Sequence, residues 1–136
     1  MLADSRVSAV LPVVDLERAW KFYEEKLGLQ AGDAPGGVKF ECGHGSQLVL
    51  YHRDSSTKAD HTAAGWEVDD VEKVVKDLRE KGVLFEQYEM TDEQGIANMG
   101  GVKGAWFKDS EGNILSVVQF EWVVRPKVAY DEILKT

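Results

Sequence analysis

The sequence predicts an α+β domain made of two βαβββ modules, and three observations predict it. Two segments carry apolar residues at helical spacing. Short strand-like runs, bounded by glycine and aspartate, surround each of them. The order of strand, helix and three strands then occurs twice, with residues matching at fixed offsets.

The first strand is read from "RVSAVLPVV", residues 6–14. The helix after it is "DLERAWKFYEEKLGL", where Leu16, Ala19, Trp20, Tyr23 and Leu27 form one apolar stripe. Asp15 suits the N-cap and Gly28 the C-terminal stop. A short extended piece from Leu29 to Asp33, then "GVKFEC" and "SQLVLYH", supply three strands. The polar "RDSSTKADH" is a linker. The second module reads "AAGWEV", the helix "DVEKVVKDLREKGV", then "VLFEQYE", "VKGAWFK" and "NILSVVQF". In that helix Val71, Val74, Val75 and Leu78 make the stripe, between the cap Asp70 and the stop Gly82.

The repeat is visible in the residues. An offset of 55 lays Asp15, Leu16, Glu17 and Arg18 on Asp70, Val71, Glu72 and Lys73. An offset of 67 lays "KFECGHGSQLVL" on "WFKDSEGNILSV", bringing Phe40 to Phe107 and Gly45 to Gly112. Agreement of element order, caps, aromatics and turn glycines points to an internal duplication. Module one covers about residues 6–52 and module two about 62–120, together one domain over 1–121.

Bulk composition narrows the function. The chain has 136 residues, 43% hydrophobic and 29% charged, enough for a self-sufficient core. A net charge of −8 argues against nucleic acid, which requires a basic footprint. No apolar run approaches the ~20 residues of a membrane span, so no membrane association is expected. The start "MLADSRVSAV" lacks a signal-peptide pattern, and a cytoplasmic location is the expectation. Cys42, the single cysteine, rules out an internal disulfide and a Cys-rich zinc site.

Taken together, "VVDLERAWKFYEEKLGL", "WEVDDVEKVVKDLREKGV" and "WFKDSEGNILSVVQ" resemble the vicinal oxygen chelate superfamily. That group includes glyoxalase I, extradiol dioxygenases, fosfomycin-resistance enzymes and bleomycin-binding proteins. The resemblance spans about residues 6–120 and implies that the two modules form a curled mixed sheet, a cup, of the glyoxalase/bleomycin-resistance type. It also implies a homodimer.

In metal-dependent members the ligands, usually His and Glu, occupy four pseudo-equivalent places on the cup face. The resemblance and the two offsets put these at Ser8, Val49, Ala63 and Ser116. Serine hydroxyls are poor ligands for divalent metals, and valine and alanine are none. Shifting each position by one residue does not help, since Val7, Ala9, Leu48, Leu50, Thr62, Ala64, Leu115 and Val117 supply no ligand either. The expectation is therefore no metal and no cofactor.

Alternation of facing residues extends this surface. Val10, Pro12, Tyr51, Gly65, Glu67, Val118 and Phe120 share the ligand face, and with Phe40 and Phe107 under the helices so do Lys39, Glu41, Trp106 and Lys108. The expected ligand-binding set is Ser8, Val49, Tyr51, Ala63, Trp106, Ser116, Val118 and Phe120. Such a lining suits a small organic molecule with an aromatic or cationic part. Glu41 and Glu67 are the only carboxylates on it and the only candidates for acid–base catalysis. His44, His52 and His61 read as solvated loop or strand-end residues, with His61 near enough to Ala63 to suggest a displaced metal site. Cys42 has no activating base at motif spacing. "YEMTDEQGIANMGGVKG" reads as a lid or pocket edge. The extension 122–136, rich in apolar residues, reads as docking on the domain or on a partner subunit.

The function expected is metal-independent binding of a small molecule, similar to the bleomycin-binding proteins. The alternative is a glyoxalase-like lyase or isomerase, or a dioxygenase, working through a displaced metal site or a carboxylate pair.

Overall fold

In the computed structural model, residues 1–34 and 37–121 are described. Strand β1 (Ser8–Val13) leads into helix α1 (Leu16–Lys21), which widens into a π-helical turn over Phe22–Lys26. Strands β2 (Gln30–Ala34), β3 (Gly37–Glu41) and β4 (Gln47–His52) complete the first module. The second runs β5 (Thr62–Glu67), α2 (Val71–Glu80), β6 (Ile96–Asn98), β7 (Val102–Lys108) and β8 (Ile114–Phe120).

The helix ends follow the caps read from the sequence. Asp15 accepts from Arg18 N at 3.0 Å and Asp70 from Lys73 N at 3.2 Å. Gly28 and Gly82 end the helical segments at φ +74° and +89°, where a side chain would be strained. Trp20 departs from the apolar stripe. It is 44% exposed and donates to Glu24, while Ala19 and Tyr23 take the buried side.

Each module forms its own four-stranded sheet, ordered β1-β4-β3-β2 and β5-β8-β7-β6. In both, the first strand pairs in parallel with the last and the remaining pairs are antiparallel. The duplication is thus a property of the fold, although the sheets are two rather than one continuous curl. Register preserves both offsets: Val10 pairs with Val49, and Gly65, 55 residues on, pairs with Ser116, 67 residues on.

One apolar core serves both modules. Leu11, Val13, Phe40, Leu48 and Leu50 of the first sheet belong to the same buried cluster as Val71, Val75, Phe107, Leu115 and Val117. Phe40 packs tilted on Tyr23 and Phe107 meets Phe85 edge-to-face, each with centroids 5.5 Å apart. The two phenylalanines lie on the core side, as alternation requires.

One predicted strand is replaced. Residues 83–89 contribute a single bridge, Phe85 to Phe107, and the fourth strand of the second sheet is β6. β6 lies inside the stretch expected to be a lid, and Ile96 and Ala97 are buried there. The same stretch exposes the large apolar side chains of Tyr88, Met90 and Met99. Among the described residues no helix is long and apolar enough to cross a membrane. The expected docking of the extension concerns residues 122–136, outside the described residues.

Candidate functional site

The turn between β7 and β8 fixes the second sheet against the first module. Asp109 accepts from Glu111 N and Asn113 N, both at 2.8 Å, and Gly112 closes the turn at φ +90°. Asn113 Nδ2 donates to Pro12 O at 3.0 Å, and the fully buried Tyr23 hydroxyl donates to Asp109 at 2.6 Å. Burial, reinforced by the Asp109 charge, drives the Tyr23 phenol far above its ordinary pKa. Glu111 accepts from Val14 N, Asp15 N and the Arg18 guanidinium, at 2.7–3.1 Å. Burial opposes its charge, but the hydrogen bonds from Arg18, Asp15 and Ser110 outweigh burial and bring its pKa to about 2. These groups are structural, since every one is spent within the protein.

With core residues on one face of each sheet, the opposite face, helix-free among the described residues, carries the expected site. On the first sheet it presents the row Val10–Val49–Lys39 and, one step along, Pro12–Tyr51–Gly37. On the second it presents Gly65–Ser116–Trp106 and Glu67–Val118–Gly104, with Phe120 beside Val102 at the end. Val10, Tyr51 and Phe120 are exposed at 55%, 37% and 38%, and Ser116 at only 6%. Trp106 is half-buried, its indole lying over Gly104 and meeting Tyr88 edge-on at 5.7 Å.

Ala63 leaves this face. The register shifts between Thr62 and Ala64, so Thr62 pairs with Ile114 as Ser8 pairs with Gln47, and Ala63 packs on the core cluster. A β-bulge of this kind re-aims one residue and cannot be seen in a single strand's sequence. Ser8 Oγ donates to Gln47 at 3.3 Å. Glu41, at the end of β3, is gripped by Lys39 at 3.3 Å and by Gln47 at 2.9 Å. The Lys39 bond holds its carboxyl below the ordinary range, which weakens it as a base. Glu67 is on the other sheet, so no short-range carboxylate pair follows from the register.

From the sequence, Gly65 is one lining residue among many, and Tyr88 falls where a predicted strand runs into the expected lid. The offset of 55 from Val10 was the available signal for Gly65. Nothing in the local sequence around Tyr88 showed that it would reach Trp106.

Comparison with known proteins now bears on this geometry. The family model of the Glyoxalase/Bleomycin resistance protein/Dioxygenase superfamily matches residues 6–117. The chain belongs to that superfamily. Among solved structures, it is similar to a lactoylglutathione lyase from Agrobacterium tumefaciens, at 21% identity and TM-score 0.63, over 85% of this chain and 93% of that one. A glyoxalase/bleomycin resistance protein/dioxygenase from Alicyclobacillus acidocaldarius superposes with TM-score 0.67 at 19% identity, covering 86% and 92%. An integron cassette protein from the mobile metagenome of V. cholerae gives TM-score 0.61 at 24% identity, covering 85% and 94%. Likeness at these identities establishes the fold. A search of the curated proteins returned no match.

Superfamily membership invites a test for the metal of the metal-dependent members. The residues do not fit one. The four places hold Ser8, Val49, Ser116 and either Thr62 or Ala63, with no imidazole or carboxylate. Among the described residues no three His, Cys, Asp or Glu side chains converge. His44, His52 and His61 are exposed, and His61 Nδ1 lies 3.1 Å from Thr62 O.

Proposed function

We propose that this superfamily member binds a small organic molecule bearing an aromatic group on its helix-free face, without metal or cofactor. The observation that carries the reading is the chemistry of that face. Val10, Tyr51, Trp106 and Phe120 present apolar and aromatic surface there, and the places where metal-dependent members put donor atoms hold no imidazole, thiolate or carboxylate. A glyoxalase-like reaction lacks its acid–base pair as well, because Glu41 is engaged with Lys39. Val49, Val118 and Ser8 complete the lining, and stacking on Trp106 supplies affinity for a flat or cationic ring. The reading includes a cytoplasmic homodimer whose second subunit borders the face, and sedimentation at micromolar concentration checks the dimer.

The test is thermal denaturation of chelator-treated protein with bleomycin and a panel of planar aromatic amines. A ligand at a hundred times its dissociation constant stabilises the native state by about 2.7 kcal/mol and raises Tm by several degrees. Absence of any shift across the panel, or formation or cleavage of lactoylglutathione once a divalent metal is added, overturns the proposal.

A further inference from the structure

We propose that Ser116 Oγ is the polar anchor of this face. It takes a hydrogen-bonding group on the edge of a planar aromatic ligand whose ring packs against Trp106. The inference rests on the small-molecule reading above and goes beyond it by naming the ligand's chemistry.

The duplication supplies the comparison. In the first sheet the central row is Val10–Val49–Lys39, two branched apolar side chains in contact register. In the second, the equivalent row is Gly65–Ser116–Trp106. Replacing two valines by glycine and serine hollows the row, and replacing lysine by tryptophan gives the hollow an aromatic wall. Gly65 is itself exposed, so the hollow opens to solvent. A Cβ there would meet Ser116 Oγ, so any larger residue would force that hydroxyl to turn away from the face.

The floor of the hollow is a hydroxyl that no described residue binds. Ser116 is 94% buried, between Leu115 and Val117 that face the core, yet its Oγ pairs with no described residue. The other serine among the four places, Ser8 on β1, does have a partner, Gln47. Among the described residues no fully buried side-chain polar atom is unpaired, so the Ser116 hydroxyl keeps an accessible side. A nearly buried hydroxyl without a partner is an uncommon arrangement and gains from any donor or acceptor brought to it.

The wall is set in advance. Ring atoms of Trp106 lie 3.5 and 3.7 Å from where a Cβ of Gly104 would stand, so the indole lies over this position of β7. Tyr88 holds the other side of the indole at an interplanar angle of 72°. A ring placed against this indole has its edge above Ser116, the residue paired with Trp106 across the β7–β8 ladder. An uncharged hydroxyl, unlike a carboxylate, selects a hydroxyl, carbonyl or amide on that edge rather than a metal-bound group.

The experiment is calorimetric titration of the full chain with a matched pair of probes, naphthalene and 2-naphthol. Wild type should bind 2-naphthol about five- to tenfold more tightly than naphthalene, the range of one neutral hydrogen bond. Ser116→Ala should bring 2-naphthol down to the level of naphthalene and leave naphthalene unchanged. Gly65→Ala should weaken both by filling the hollow. If Ser116→Ala binds 2-naphthol as wild type does, the anchor is wrong while the binding face stands. If wild type binds neither probe, the binding reading fails and the anchor with it.

Discussion

Glu111 stands in a surface turn, yet its side chain is 1% exposed because the start of α1 closes over it. Its folded pKa of about 2 lies below the ordinary carboxylate value, so the charged form stabilises the native state at neutral pH. That contribution is complete above about pH 5 and is lost as pH falls through the folded value near 2. Glu111→Gln should therefore cost about 1–2 kcal/mol at pH 7, allowing for solvent around the 56%-exposed Arg18, and the gap to wild type should close towards pH 2. Urea titrations of both proteins across that range provide the check. At this scale the sequence was legible where partners are near in the chain. The caps Asp15 and Asp70 and the turn glycine Gly112 were readable, because each acts within a few residues. Arg18 and Glu111 are 93 residues apart, and no local pattern joins them. Ser116 shows both sides: the offset found its place, and only the three-dimensional packing showed a hydroxyl that no described residue binds.

Among elements, the replacement of the predicted strand at 83–89 by β6 has a local cause. Phe85 alternates correctly with Val83 and does turn inward, meeting Phe107 edge-to-face, but its backbone makes only one bridge. The chain then reverses in a turn where Asp92 accepts from Gln94 N at 2.8 Å and Ile96 N at 3.0 Å. Gly95 ends that turn at φ +86°, and a Cβ there would approach Phe85 Cβ to 2.9 Å. The signal, an aspartate three residues before a glycine, is present in the sequence but was absorbed into a supposed lid. Gly95→Ala should destabilise the protein by about 2 kcal/mol or more, through the left-handed backbone and the contact with Phe85. Equilibrium denaturation measures it, and an unchanged midpoint would show that β6 is not held as described. The first helix was located correctly, whereas its π-helical turn was not, because periodicity over one turn cannot separate 3.6 from wider winding.

At the scale of the molecule, the duplication was legible because it repeats caps, aromatics and glycines that sit at fixed offsets, and the pairing pattern of both sheets follows it. What it did not show is where symmetry breaks. The turn Asp109–Asn113 is anchored to the other module through Pro12, Tyr23 and Arg18. Its counterpart, the 3-10 turn Gly43–Gly45, is exposed and holds His44 at φ +57°. Among the described residues, this turn of the second module grips the first, whereas the equivalent turn of the first makes only local bonds.

That one-sided anchoring has a consequence for folding kinetics. The bond from Asn113 to Pro12 joins residues 101 apart, and that from Tyr23 to Asp109 joins residues 86 apart. Contacts of such separation close nearly the whole chain into a loop, and their entropy cost places them late on the folding path. Asn113→Ala should accordingly accelerate unfolding about tenfold and leave the refolding rate within about twofold, as measured by stopped-flow chevrons. A slower refolding limb instead would make the turn part of the nucleus. The motif that marks the family in sequence then serves as a latch, setting how long the finished molecule stays folded rather than how quickly it forms.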